Sequence, residues 1–326
     1  MDLATLERLI VAQFTARAGD WGLSAASLTV RHVLNWGGFV NLSFRIEDGS
    51  RRFHLKITAD PDAQDALASW YRVHADLTAR YHAPPVIDWV SIGDTGHRGL
   101  LFPHLEGATP TGWTRWLRQA IAPVLQSLHA DRDLRDRARP GQEAGSCAAG
   151  YLDDFHRRFI GDLAFVSADP PAFVTAATLA WMREEADRLA NVVARSPAFA
   201  RPAGALIHGD LWPNNVLVAP NDTWYLLDWD DLRLGDPILD LAKLLDSGMA
   251  DGEPASTEEV ATLVGTEPDG LDRLAIYARA ILLDWVIDPL ADYLDADRVP
   301  RQASRVRTQK RQAHLAAASA YRARYG

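Results

Sequence analysis

A chain of 326 residues, 48% hydrophobic and 24% charged, is long enough for one large or two moderate domains with a proper core and too apolar to be disordered. Its 43 acidic against 34 basic side chains, a formal charge of -9, argue against nucleic acid as the main partner, because phosphate backbones are held by basic surfaces. A single cysteine, Cys147, forbids an intrachain disulfide and fits a reducing cytoplasm, while the most apolar late run, 280–287, is interrupted by Asp284 and falls far short of the ~20 residues a bilayer needs.

The opening places Leu3, Leu6, Ile10 and Phe14 at helical spacing with Asp2 and Glu7 among them, which predicts an amphipathic helix and not a signal peptide. Then the period changes. Val40, Leu42, Phe44 and Ile46 alternate with polar residues, Asp48-Gly49 signals a hairpin, and Phe53, Leu55 and Ile57 alternate again, so an antiparallel meander is expected with Lys56 in its third strand. The connection 35–39 joins strand to strand. Gly37 and Gly38 are therefore not the strand-to-helix fingerprint of a dinucleotide fold; they suit a tight turn or a backbone that approaches phosphates closely. A helix follows whose polar side holds Asp65, Ser69, Arg72 and Asp76 and whose apolar side holds Leu67, Trp70, Tyr71 and Val73. Beyond Pro84-Pro85, residues 86–90 and 100–103 read as strands around a turn at 93–99, with a loop through His104 and Leu105 to Gly107. Trp113, Leu117, Ile121, Val124, Leu125 and Leu128 form a helical core stripe ended by His129, a capping or packing histidine. Residues 131–147, rich in Arg, Asp, Gly and Pro, are expected to be a surface loop; two helical stretches follow at 148–166 and 173–195. The tail from 257 to 325 is helical by pattern, its last part, 305–325, an amphipathic surface helix.

Between them, 206–243 concentrates the chemistry: His208-Gly209-Asp210 is followed after four residues by Asn215, and thirteen residues further on by Asp228-Trp229-Asp230-Asp231. The flanking runs 206–207, 216–218 and 224–227 read as short buried strands whose ends bring carboxylates and an amide towards one place. Phosphoryl transfer is the chemistry such a set serves. Hard oxygens suit the Mg2+ that accompanies ATP, so Asn215 and Asp228 fit as metal ligands, and Asp210 fits as the carboxylate that accepts or orients the acceptor's hydroxyl proton. His208 is expected to brace that loop, and Asp236 before Pro237 to cap a helix. Asp230 and Asp231 read either as further metal or substrate contacts or as solvated carboxylates.

The pattern His-x-Asp, four residues, Asn, then an apolar strand ending in Asp resembles the aminoglycoside phosphotransferase and choline kinase family. Protein kinases carry Arg between the His and Asp, and Gly two residues after the metal-binding Asp; here those positions are Gly209 and Asp230, which favours the small-molecule branch. The resemblance implies an α+β, two-lobe protein-kinase-like fold: a nucleotide-covering lobe, 1–102, with an antiparallel sheet and helix, and a larger, mainly helical catalytic and acceptor-binding lobe, 103–326. It implies that Gly37, Gly38 and Phe39 cover the phosphates of ATP or GTP, that Lys56 pairs with them, and that the Pro103 carbonyl and the Leu105 N–H meet the adenine edge. The family's glutamate on the helix after Lys56 has no counterpart here, and Asp65 is the candidate partner in its place.

Asp284, Asp288 and Asp292, four residues apart beside Trp285, would stack like charges on one helix face unless Pro289 breaks the helix or cations offset them. They read either as a solvated acidic stripe or, where this family builds its acceptor pocket, as a cation-binding wall. The function implied is Mg2+- and ATP-dependent O-phosphorylation of a small hydroxylated molecule, with an aminoglycoside-like antibiotic or another cationic alcohol as acceptor, and antibiotic resistance as the corresponding role. A catalytically weakened binding or regulatory protein and a protein kinase are the rivals.

Overall fold

Asp2 accepts the Thr5 N–H at 2.8 Å and so caps helix α1 (Leu3–Ala16), whose Leu6, Ile10 and Phe14 are buried. They pack into one apolar cluster with Phe44, Ile46, Phe53, Leu55, Ile57, Val90 and Leu101. Those residues belong to strands β2 (Leu42–Glu47), β3 (Arg52–Thr58), β4 (Asp88–Ser91) and β5 (Arg98–Pro103), with helix α2 (Pro61–Arg80) between β3 and β4, and Val30 of strand β1 (Thr29–Val33) packs against them. The five strands form one sheet in the order β1-β2-β3-β5-β4, antiparallel throughout. At the β2–β3 hairpin Asp48 Oδ1 accepts the N–H groups of Ser50 and Arg51 at 2.9 and 2.8 Å, and Gly49 takes the positive φ of +90° that the turn requires. The computed structural model describes residues 1–33, 41–246, 252–265, 267–298 and 302–326.

In chain order there follow α3 (Arg115–Ala130), α4 (Arg132–Ala138), α5 (Cys147–Tyr151), a wide turn of helix at Leu152–Arg157, α6 (Arg158–Ala168) and α7 (Ala176–Arg195). Then come β6 (Ala205–Ile207), β7 (Val216–Val218), β8 (Trp224–Leu226), β9 (Arg233–Gly235), α8 (Pro237–Leu245), α9 (Thr257–Val264), α10 (Gly270–Asp295) and α11 (Ala303–Tyr325). The chain divides into two compact units. One comprises Met1–Pro110, Asp133–Pro140 and Asn214–Leu232; the other comprises Thr111–Arg132, Gly141–Pro213 and Arg233–Gly326 and is mainly helical.

Two expectations change and one open alternative is settled. The first half of 131–147 is helix α4 and not a loop, because Leu134 and Ala138, four apart, are fully buried and Arg139 Nε donates to the Leu232 carbonyl at 3.0 Å. Helix α11 is not a plain surface helix: Val306, His314, Ala317 and Tyr321 are buried, and His314 Nδ1 meets the Val286 carbonyl of α10 at 2.7 Å. Helix α10 runs on through Pro289, so Asp284, Asp288 and Asp292 do share one helix. Among the described residues no helix is long and apolar enough to cross a membrane.

Candidate functional site

In the first unit, β7 and β8 pair as a hairpin with Val216 opposite Leu226, and Leu227 N–H donates to the Asn215 carbonyl at 2.8 Å. Asn215 and Asp228 therefore sit at the same end of that hairpin. Asp228 adopts a left-handed conformation, φ 63° and ψ 59°, which costs most side chains ~1 kcal/mol or more but is tolerated by Asp. From there the chain enters a tight turn, Trp229–Asp231, pinned by the buried Trp229 indole, which donates to the Leu226 carbonyl at 2.7 Å.

Strand alternation puts Leu55 and Ile57 on the face that packs with α1 and sends Lys56 to the other. Helix α2 packs against that turn, and Lys56 ends there too: its ammonium pairs with Asp228 Oδ1 and lies 2.8 Å from Asp230 Oδ2, which also accepts Asn41 Nδ2 at 2.7 Å. The acidic partners of Lys56 are thus Asp228 and Asp230. Asp65 is not one of them; it is solvent-exposed on α2, whose inward face is taken by Leu67, Ser69, Trp70 and Val73. Burial works against the Lys56 ammonium, but Asp228 and then Asp230 outweigh it and raise its pKa above the usual lysine value. For Asp230 burial likewise opposes the charge, and Lys56 holds the carboxyl well below the usual range. Asp231 is exposed. Pro103 ends β5 opposite Phe53, and Leu105 is half-buried just beyond. Gly37, Gly38 and Phe39 lie outside the described residues.

In the second unit β6 pairs with β9, a strand the sequence reading missed, and leads into His208-Gly209-Asp210, with Gly209 at φ +83°. Helix α8 holds this loop by both kinds of backbone group. Asp240 accepts the N–H of His208 at 2.9 Å and of Gly209 at 3.0 Å, while Lys243 Nζ donates to the Gly209 carbonyl at 2.6 Å. His129 Nε2 lies 2.9 Å from the same Asp240. Burial pushes the Asp240 carboxyl up, but the His129 hydrogen bond and charge, with His208 and the Gly209 N–H, bring it down to about 2. His208, fully buried, accepts Asp210 N–H through Nδ1 at 3.3 Å, the bracing role expected of it. The Asp210 carboxylate is half-buried, with Trp212 Nε1 donating to Oδ1 at 2.7 Å and Lys243 Nζ 3.3 Å from the same oxygen.

Asp236 caps α8 through Ile238 N–H at 3.0 Å and also lies 2.8 Å from the buried Arg273 guanidinium. Cations from within the chain offset the α10 acidic stripe: Arg158 is 2.7 Å from Asp284 and 3.8 Å from Asp288, and Lys310 pairs with Asp292. Two positive groups do not balance the whole cluster. Burial, then Asp284 and Asp292, push the Asp288 carboxyl up to about 7; burial pushes Asp162 on α6 up to about 6. Trp285 stands edge-on to Trp212, ring centroids 5.3 Å apart.

Asp240, Lys243 and Trp212 escaped the sequence reading. The signal available was that α8 is otherwise apolar on every side, so a charge within it had to be buried and paired.

A sheet-bearing N-terminal part with a lysine on its third strand, followed by a larger helical part carrying a braced carboxylate loop, defines the kinase-like α+β fold in two lobes. Residues 32–277 match the profile of the phosphotransferase enzyme family, and the chain belongs to that family, whose members transfer phosphate to hydroxyl groups of small molecules. Among curated proteins none matches the sequence. Solved structures with this fold include the GDP complex of wild-type aminoglycoside 2'-phosphotransferase-IIIa, 15% identical, TM-score 0.61, covering 95% of this chain and 98% of that one. The choline kinase LicA from Streptococcus pneumoniae is 14% identical, TM-score 0.56, covering 95% and 99%. The macrolide 2'-phosphotransferase MphH from Brachybacterium faecium is 21% identical, TM-score 0.53, covering 95% and 97%.

Proposed function

We infer that the protein transfers the terminal phosphoryl group of ATP or GTP to a hydroxyl of a small molecule, with an aminoglycoside-like compound or another cationic alcohol as acceptor. The observation that carries this reading is the third-strand Lys56 directed to the Asp228–Asp230 turn, beside the hairpin end that bears Asn215. Lys56 binds the nucleotide phosphates, with Gly37, Gly38 and Phe39 covering them and Pro103 and Leu105 meeting the base. Asn215 and Asp228 offer an amide and a carboxylate oxygen, the hard donors that Mg2+ takes alongside phosphate and water, and they would hold that ion, which neutralises triphosphate charge. Asp210 receives the acceptor's hydroxyl proton as the new P–O bond forms and the bond to the leaving nucleoside diphosphate breaks; the proton then passes to water. In this reading residues 1–102 cover the nucleotide, and 103–326 carry the catalytic residues and bind the acceptor.

The cationic acceptor is supported by the carboxylate excess around Asp284 and Asp288, with Trp285 as an aromatic neighbour. A catalytically silent binding protein loses its motive, because Lys56 has its acidic partners even without the helix glutamate. The test is steady-state transfer from ATP and from GTP to kanamycin, choline, a macrolide and a generic protein: phosphorylation of a small cationic alcohol is expected, and phosphorylation of the protein alone would overturn the reading.

A further inference from the structure

A lysine in the last turn of a short helix ordinarily reaches solvent, where it complements the helix dipole. Lys243 does not. It is 8% exposed, its own carbonyl accepts the Trp113 indole N–H at 2.7 Å, and its ammonium lies 2.6 Å from the Gly209 carbonyl, 3.3 Å from Asp210 Oδ1 and 4.7 Å from the centroid of the Trp212 ring. Trp212 in turn donates its indole N–H to that same Oδ1 at 2.7 Å. One cation and one neutral donor, brought by different segments, thus converge on a single oxygen of one carboxylate.

We propose that Lys243 and Trp212 are positioning residues that clamp Asp210 by Oδ1, fixing the plane of the carboxylate and keeping it ionised for the incoming acceptor hydroxyl. This rests on the reading of Asp210 as the catalytic carboxylate. The two donors divide the work. The indole N–H sets direction, because a neutral donor with one hydrogen has one productive orientation; the ammonium sets charge, because a cation beside a carboxylate in a poorly solvated place favours the deprotonated form. In a loose phosphoryl transition state little proton transfer is needed early, so an oriented, weakly basic carboxylate serves better than a strongly basic mobile one. Asp240 and Lys243, three residues apart on α8, make the clamp part of the same grip that holds the loop backbone.

The experiment uses the full chain labelled with 15N at tryptophan and follows the Trp212 indole N–H by NMR, identified by its loss in Trp212→Phe, from about pH 2 to 7. A downfield resonance that shifts as Asp210 titrates is expected, absent from Asp210→Asn. Any titration surviving in Asp210→Asn belongs to His208, His129 or Asp240, the other titratable groups facing the loop. In Lys243→Met the Asp210 midpoint moves up by about one pH unit, the acidic limb of kcat moves with it, and kcat falls roughly 10- to 100-fold, the range of a misplaced acid or base, with nucleotide KM changed less than about threefold. Lys243→Arg restores the midpoint in part, and Trp212→Phe lowers kcat without moving it. Turnover is read with whichever of kanamycin or choline is phosphorylated, or by hydrolysis of ATP. An indole resonance insensitive to Asp210→Asn, or an unmoved midpoint in Lys243→Met, overturns the clamp even if Asp210→Asn is inactive. Full turnover in Asp210→Asn overturns the reading of Asp210, and the clamp with it.

Discussion

Lys56 sits between two carboxylates on a strand covered on both faces, and its environment rather than its neighbours in sequence decides its partners. Removing one member of such a group leaves charge uncompensated in a poorly solvated place. Lys56→Ala should lower stability by about 2 kcal/mol in urea denaturation, less than a fully buried pair because Asp228 and Asp230 keep some exposure, and raise nucleotide KM at least ~10-fold. Asp65→Ala, on the exposed side of α2, should change stability by no more than about 0.5 kcal/mol. Equal effects of the two would return the pairing to the helix. Asp228→Ala should abolish the dependence of nucleotide affinity on Mg2+, measured by calorimetry; unchanged magnesium linkage would move the metal elsewhere. That Asn215 and Asp228 come to one hairpin end was legible, because strand patterning and spacing place both there. Asp230 as a Lys56 partner was not, because that contact spans 174 positions and depends on a left-handed turn at Asp228.

Helix α8 is the element on which the His208-Gly209-Asp210 loop hangs. Asp240, fully buried, has a folded pKa of about 2, lower than an unfolded aspartate's, so its contribution is present above about pH 4 and is lost as pH falls towards 2. A shift of that size corresponds to about 2 kcal/mol. Asp240→Asn should therefore be less stable than wild type at pH 7, with the difference shrinking on acidification; a constant difference would mean the carboxylate's charge is irrelevant. Where α10 packs against α6 the sign reverses. Asp288 and Asp162 have raised folded pKa values, about 7 and 6, so the folded state binds more protons between about pH 4 and 7 and stability declines as pH rises through that window. Arg158, Lys310, Asp284 and Asp292 all face this cluster. Thermal midpoints at pH 5 and 8 should differ less in Asp288→Asn than in wild type, and a cationic acceptor seated on the stripe should bind more tightly at pH 8 than at pH 6. A pH slope identical to wild type would show that Asp288 is already ionised. Alternation in β2 and β3 was easy to read because one face is apolar and the other is not. Helix α8 gives no such contrast, being buried on every side, and α4 is too short for two apolar positions to announce a helix.

Across the chain, fold and family were legible from the His208-Gly209-Asp210 loop to the start of α8, and faint where only packing matters, as in α11, which packs along α10 and whose small residues Ala303, Ala317 and Ala318 are buried without forming a strong apolar stripe. Acceptor choice is another matter. Structures of one fold, each at most 21% identical to this chain, are named for aminoglycoside, choline and macrolide kinases, so the fold cannot name the acceptor. The most direct measurement is transfer of radiolabelled phosphate from the γ-position of ATP and of GTP, in the presence of Mg2+, to kanamycin, choline, a macrolide and a generic protein, by wild type and by Asp210→Asn. Label should appear on a small hydroxylated acceptor with wild type and fall at least ~100-fold with Asp210→Asn, which should still bind nucleotide. Label confined to the protein acceptor, or equal transfer by both enzymes, would contradict a small-molecule phosphotransferase built on Asp210.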